Sequence, residues 1–261
     1  MKRLLLFFCG LFLYTICLAD TVNLTWKDGD TTYEKTTCTI GGDLNVPATQ
    51  PTKYGYDFIG WKAKAAKELE YAKFQSNDEL SYIDTGIMFD SNEIEYEIKA
   101  QFANNYAILF GAEGTCSGST KVSNSSGSIL NTAYTRKYIF KAGTATIEGK
   151  EESSSTNTYS LYINKTNKNV IGTVNGDVYN TTLTGTVTAD KHIWLGGAGQ
   201  GKHCNFYGSI YYFKIKKDGI LVRDFVPVLD PDGVVCFYDK VTKEFFYNRN
   251  GPSLIAGPVK E

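Results

Sequence analysis

The sequence predicts an all-β protein: an antiparallel β-sandwich with a small β-rich module at its N-terminal end. Three observations lead there. From Ser81 onward, short runs of β-branched and aromatic residues recur between clusters of Gly, Asn, Asp and Ser, with no helical period among them. Between Glu93 and Phe102, Ile94, Tyr96, Ile98, Ala100 and Phe102 alternate with Glu93, Glu95, Glu97, Lys99 and Gln101, the pattern of a strand with one buried and one wet face. Of the 261 residues, 42% are hydrophobic and 14% aromatic, enough large side chains to fill the space between two sheets. The same composition, with only 6 Pro, excludes a disordered or collagen-like chain.

Residues 1–19 read as an export signal. Lys2 and Arg3 supply a positive start, Leu4 to Leu18 an apolar stretch interrupted by Gly10, Tyr14 and Thr15, and Cys17-Leu18-Ala19 a small-residue cleavage site before Asp20. This stretch falls short of the roughly 20 apolar residues that a membrane-spanning helix needs. Acylation at Cys9 or Cys17 is disfavoured because Phe8 and Ile16 stand where a small residue is expected. Cleavage removes two cations and no acid, shifting the net charge from −1 to −3. The mature chain is expected outside the cytoplasm, secreted or at the cell surface, without a further membrane span. A chain so close to neutral lacks the basic face that phosphate contacts require, which argues against nucleic acid as a partner.

Cys38, Cys116, Cys204 and Cys236 remain after cleavage. In an exported chain they can oxidise, and the spacing leaves three pairings open. Cys116 with Cys204 is the expected pair, both following Gly-rich ends of predicted strands. Cys236, inside Val234-Val235-Cys236-Phe237, reads as a small buried hydrophobe. No C-x-x-C spacing occurs, and the one close pair that a histidine makes, His203-Cys204, diverges on a strand, so no metal site is expected.

Along the mature chain, Val22 to Trp26 and Thr36 to Ile40 are predicted strands around the turn residues Asp28-Gly29-Asp30. Residues 65–80 are expected as a linker with some helical character. There Ala65, Ala66, Leu69, Ala72 and Phe74 are interleaved with Lys67, Glu68, Glu70 and Lys73. Beyond Tyr82 to Ile87 and the Glu93 strand, further strands are predicted at Ala107–Gly111, Arg136–Phe140, Thr144–Glu148, Thr158–Ile163, Val170–Val174, His192–Gly196, Tyr207–Ile215, Leu221–Val226 and Val234–Tyr238.

Two resemblances sharpen this. The run Pro51-Thr52-Lys53-Tyr54-Gly55-Tyr56-Asp57-Phe58-Ile59-Gly60-Trp61 resembles the internalin-type B-repeat, a small β-rich module of bacterial surface proteins. It implies a module over residues 20–64 with Tyr56, Phe58 and Trp61 as core. The opening Tyr82-Ile83-Asp84-Thr85-Gly86-Ile87, the central Ile193-Trp194-Leu195-Gly196-Gly197 and the closing Gly208-Ser209-Ile210-Tyr211-Tyr212-Phe213 and Gly233-Val234-Val235-Cys236-Phe237-Tyr238-Asp239 look like a laminin-G-like, concanavalin A-like jelly roll spanning residues 81–261. That resemblance implies an extracellular binding or adhesion module whose partner is a glycan or a surface protein.

The sharpest catalytic alternative is Glu93, Glu95 and Glu97. Alternate strand residues share a face, and concanavalin A-like folds include glycoside hydrolases with an acidic E-x-D-x-E strand, where paired carboxylates flank the scissile bond. Here the middle residue is Glu rather than Asp, the strand opens the domain, and Lys99 and Gln101 continue the same face, so a solvated strand face is the preferred reading and no enzyme is expected. Gly196-Gly197-Ala198-Gly199-Gln200-Gly201 precedes no helix that would cradle a phosphate, and no G-x-S-x-G elbow occurs. Asp230-Pro231-Asp232-Gly233 can offer oxygens to calcium, but the same residues make a turn, so no cofactor is expected. A sugar site would need aromatic faces with a few polar groups, for which Tyr106, Trp194, Tyr207 and Tyr211 are available among many residues needed for the core. The loops 113–128, 150–157 and 197–206 are rich in small polar residues suited to a rim. A purely structural spacer is the remaining alternative.

Overall fold

The structure, a computed structural model, describes residues 21–28, 31–39, 46–49, 66–75, 81–103, 107–112, 125–131, 137–151, 155–185, 187, 192–197 and 206–261. The chain divides into two compact units, residues 1–62 and 63–261. In the first, β1 (Thr21–Asp28) and β2 (Thr31–Thr39) form an antiparallel hairpin with a register shift between Trp26 and Lys27. Trp26 and Cys38 are buried, and the Trp26 indole N–H donates to Thr36 Oγ1 at 2.8 Å. The predicted strand pair is present. The aromatic run ending at Trp61, on which the B-repeat resemblance rests, lies outside the described residues, as do residues 1–19, Cys116 and Cys204.

The second unit opens with β3 (Lys67–Glu68) and β4 (Ala72–Phe74), where a linker or helix was expected. Ala and Lys favour a helix locally. However, β3 pairs with a central strand of the large sheet, and Ala72 and Phe74 bury their side chains completely in its core, so tertiary burial overrides propensity. There follow β5 (Ile83–Asp84), β6 (Glu93–Phe102), β7 (Ala107–Gly111), β8 (Ser125–Asn131), β9 (Lys137–Gly143), β10 (Ala145–Glu151), β11 (Asn157–Asn164), β12 (Asn169–Val174), β13 (Asp177–Thr182), β14 (Trp194–Leu195), β15 (Gly208–Lys217), β16 (Ile220–Leu229), β17 (Val235–Asp239), β18 (Glu244–Phe246) and β19 (Ile255–Ala256). The described residues contain no helix.

These strands form two antiparallel sheets. One runs β10-β9-β8-β7-β14-β5, the other β13-β12-β11-β6-β15-β16-β17-β18, with β3, β4 and β19 attached to it. The chain crosses between the sheets at β4 to β5, β5 to β6, β6 to β7, β10 to β11, β13 to β14 and β14 to β15, the crossovers of a jelly-roll sandwich. Asn175-Gly176 and Asp218-Gly219 take positive φ at both residues and close two-residue hairpins whose twist suits the strands.

The core lies between the sheets. In β6, Ile94, Tyr96, Ile98 and Ala100 are fully buried, and Tyr159, Leu161 and Ile163 of β11 continue that surface. Rings from the opposite sheet meet it: Phe110 lies 4.6 Å from Tyr96 and 5.1 Å from Phe213, and Tyr138 lies 5.1 Å from Tyr159, centroid to centroid. Gly172 of β12 carries no side chain because Phe140 fills the space above it; a Cβ there would come within 2.7 Å of the ring. Edge-to-face and offset contacts of this kind add to the area that large rings bury.

Candidate functional site

The strand period sets which residues share the outer face of the large sheet. Register pairs Lys216 with Glu95 and Glu95 with Tyr162, and Lys214 with Glu97 and Glu97 with Ser160, giving polar rows that cross β15, β6 and β11. The structure therefore brings Glu93, Glu95 and Glu97 to one face, about 6.6 Å apart along the strand. Each meets a different donor. Tyr162 Oη and Asn164 Nδ2 donate to Glu93 Oε2 at 2.7 and 3.0 Å, Lys216 Nζ donates to Glu95 at 3.1 Å, and Lys214 Nζ to Glu97 at 3.4 Å. The Glu93 carboxylate, by accepting the Tyr162 hydroxyl, raises that phenol above its usual range. This is a ladder of cross-strand pairs, each worth a few tenths of a kcal/mol at such exposure.

A second cluster lies at the end of this face where β4, β15 and β6 meet. β15 changes register between Ile210 and Tyr212: Ile210 pairs with Ala100 and Tyr212 with the next residue back, Lys99. Tyr211 is the extra residue of a bulge. A bulge re-aims side chains, and here Tyr211 and Tyr212 both stand beside outer-face lysines instead of alternating. Lys99 Nζ sits 5.4 Å from the Tyr211 ring centre and Lys214 Nζ 5.1 Å from that of Tyr212. Tyr71 leans on Tyr211 at 5.4 Å and 57°, Lys73 Nζ lies 5.3 Å over Tyr207, and Thr156 Oγ1 donates to Tyr211 Oη at 3.2 Å. All four tyrosines are half-buried, fixed at their bases with faces or edges still reaching solvent. Burial and the Glu97 carboxylate raise the Tyr212 phenol, so its hydroxyl stays protonated and can donate.

Of the aromatics expected from the sequence, Tyr207 and Tyr211 join this cluster, whereas Tyr106 lies outside the described residues. Trp194 is elsewhere: on β14 of the other sheet it stacks on Tyr82 at 4.0 Å and 21°, beside an Asp84–His192 pair 2.9 Å apart. Tyr71, Lys73, Lys99, Tyr212 and Lys214 were not singled out by sequence. The adjacent Tyr211-Tyr212 in an otherwise alternating strand is the signal that marks them, since two large polar-tipped rings in succession fit a bulge better than a regular pleat.

The other candidates resolve into structure. Asp230 is buried; its Oδ1 accepts the N–H groups of Asp232 and Val234 at 2.9 and 2.8 Å, and its Oδ2 the Tyr247 hydroxyl at 2.8 Å. Oδ1 thus holds the turn, in which Gly233 takes φ 85°, and Oδ2 holds Tyr247. Among the described residues no group of three or more His, Cys, Asp or Glu is placed to hold a metal ion. Cys236 is fully buried, and burial, with Asp230 near, pushes its thiol up to about 12.

No family model matches the chain, and no curated protein does either. Among solved structures it is similar to the CBM40 of Ruminococcus gnavus IT-sialidase bound to α2,3-sialyllactose (16% identity, TM-score 0.42, covering 59% of this chain and 90% of that one). It is also similar to a heptameric SAP-like pentraxin from Limulus polyphemus (10%, 0.42, covering 60% and 77%) and to domains LG4-5 of the mouse laminin α1 chain (11%, 0.39, covering 75% and 52%).

Proposed function

We propose that the protein is an exported binding module that recognises carbohydrate through the tyrosine–lysine cluster on the outer face of its large sheet. The cluster carries the reading. Pyranose rings present C–H faces that stack on aromatic surfaces and hydroxyls that need fixed donors and acceptors. Tyr71, Tyr207, Tyr211 and Tyr212 supply the first, while Lys73, Lys99, Lys214 and Thr156 supply the second. Tyr211, Tyr212, Lys73, Lys99 and Lys214 sit on paired strands, and Tyr71, Tyr207 and Thr156 directly precede β4, β15 and β11, so little ordering entropy is lost on binding. Export is supported by the basic, apolar and small-residue order of residues 1–19.

Glycan-array screening of the full chain freed of its signal, with sugar release monitored in parallel, tests this. Saturable binding without release, retained by Glu95→Gln, is the expected result. Release of sugar that Glu95→Gln abolishes would replace the reading with hydrolysis, and absence of binding to any glycan would overturn it in favour of a protein partner or a spacer.

A further inference from the structure

The two ends of the large sheet are finished differently. At one end the ladder closes with β18, only three residues long, a short edge that offers little to a passing strand. The other ends with β13, six residues that pair, among the described residues, with β12 alone. β13 has no proline, no lysine and no register shift, the usual devices that protect an edge, and Val178 is 63% exposed on it.

Hairpin geometry identifies the groups this edge presents. The Asn175-Gly176 turn makes Val174 and Asp177 a hydrogen-bonded pair, and along an antiparallel ladder such pairs alternate. The β11 side agrees, since Asn175 N–H donates to Thr158 at 2.9 Å, which leaves Val174, Gly172 and Val170 to bond β13. Asp177, Tyr179 and Thr181 therefore bond inward. Val178, Asn180 and Thr182 direct their N–H and C=O groups away from the sheet.

We propose that this edge pairs with the β13 edge of a second copy of the chain, antiparallel about a twofold axis at Asn180. That register sets Asn180 opposite Asn180 and Val178 opposite Thr182, using every outward donor and acceptor. Charge favours the same arrangement. The start of β13 carries Asp177, and its end borders a cavity lined by Lys165, Lys168, Thr182 and Leu183, where Leu183 N–H donates to the Lys168 carbonyl at 2.7 Å. The twofold axis brings the acidic start of each strand to the basic end of the other. The contact is isologous and closes at two, joining the large sheets into one continuous sheet.

Sedimentation equilibrium of the whole chain tests the proposal. A concentration-dependent monomer–dimer equilibrium is expected for the unsubstituted protein. Asn180→Pro removes only an outward N–H, which an edge strand tolerates, so it should keep the thermal midpoint and weaken the dimer at least tenfold. Should that variant fail to fold, charge reversal decides: Asp177→Lys and Lys168→Asp each weaken the dimer, and the two together restore it. A chain that stays monomeric at millimolar concentration, or a dimer indifferent both to Asn180→Pro and to charge reversal, would overturn it.

Discussion

Replacing Gly172 with alanine probes how closely the two sheets approach. The added methyl would lie 2.7 Å from Cγ and Cδ2 of Phe140, where ordinary contact needs about 3.8 Å, so the ring or the strand must give way by about 1 Å. Phe140 is fully buried, and inserting a carbon into a packed core costs about 1–3 kcal/mol. Against this stands about 0.5–1 kcal/mol gained by removing a glycine from a strand. The expected net loss is about 1–2 kcal/mol, a fall in Tm of roughly 2–8 °C for a unit of this size. Scanning calorimetry with a double-mutant cycle separates the contact from propensity: Phe140→Leu should lower the cost of Gly172→Ala by at least about 0.5 kcal/mol. A Gly172→Ala protein as stable as the parent, or a cycle with no coupling, would refute the packing of Phe140 on β12.

Three further outcomes follow from the described contacts. Asp239 is fully buried with Arg223 Nε 3.6 Å from its Oδ2, so Arg223→Met should cost about 3 kcal/mol in urea unfolding, the low end for a broken buried pair. The carboxylate keeps the N–H groups of Asp224 and Val241, and a loss below about 1 kcal/mol would show the pair to be dispensable. Burial of Glu68 opposes its ionisation, but Lys260 and Lys240 outweigh it and hold its carboxyl below the ordinary 4.5. This pair thus stabilises the fold above pH 4.5 and is lost as pH falls through the lowered value, so Glu68→Gln should shrink the drop in Tm between neutral and acid pH by a small amount. Cys236, with its thiol pushed up to about 12, should resist alkylation at pH 8 until the chain is unfolded, as peptide mass spectrometry would show.

Much of the sandwich was legible because alternation and turn residues are local. Ile94 to Phe102 and Thr158 to Ile163 were placed by period alone, and a sandwich or barrel followed from the repetition of such runs, with the jelly roll implied by the laminin-G-like resemblance. β13 was missed because its Asp-Val-Tyr-Asn-Thr-Thr carries few large apolar residues, although the Asn175-Gly176 pair marks its hairpin. β3 and β4 were misread because Ala, Lys and Glu speak for a helix, while their partners lie more than a hundred residues away on β15 and β16. The three glutamates were placed on the correct face. Their cross-strand partners Tyr162, Lys214 and Lys216 depend on register and could not be read from spacing. The tyrosine–lysine cluster was half visible: Tyr207 and Tyr211 were named, but the bulge that turns Tyr212 to the same face is a matter of pairing, not of composition.

Tyr211 and its neighbours are proposed as the carbohydrate site. Titration calorimetry of a glycan selected on the array, against the parent, Tyr211→Ala, Lys99→Ala and Glu93→Gln proteins, tests it most directly. Tyr211→Ala should cost about 1–3 kcal/mol of binding, roughly five- to 150-fold, as loss of an aromatic anchor does. Lys99→Ala should cost less, and Glu93→Gln, tied to Tyr162 and Asn164, should bind as the parent does. Unchanged affinity in Tyr211→Ala, with the fold intact by circular dichroism, would move the site away from this face.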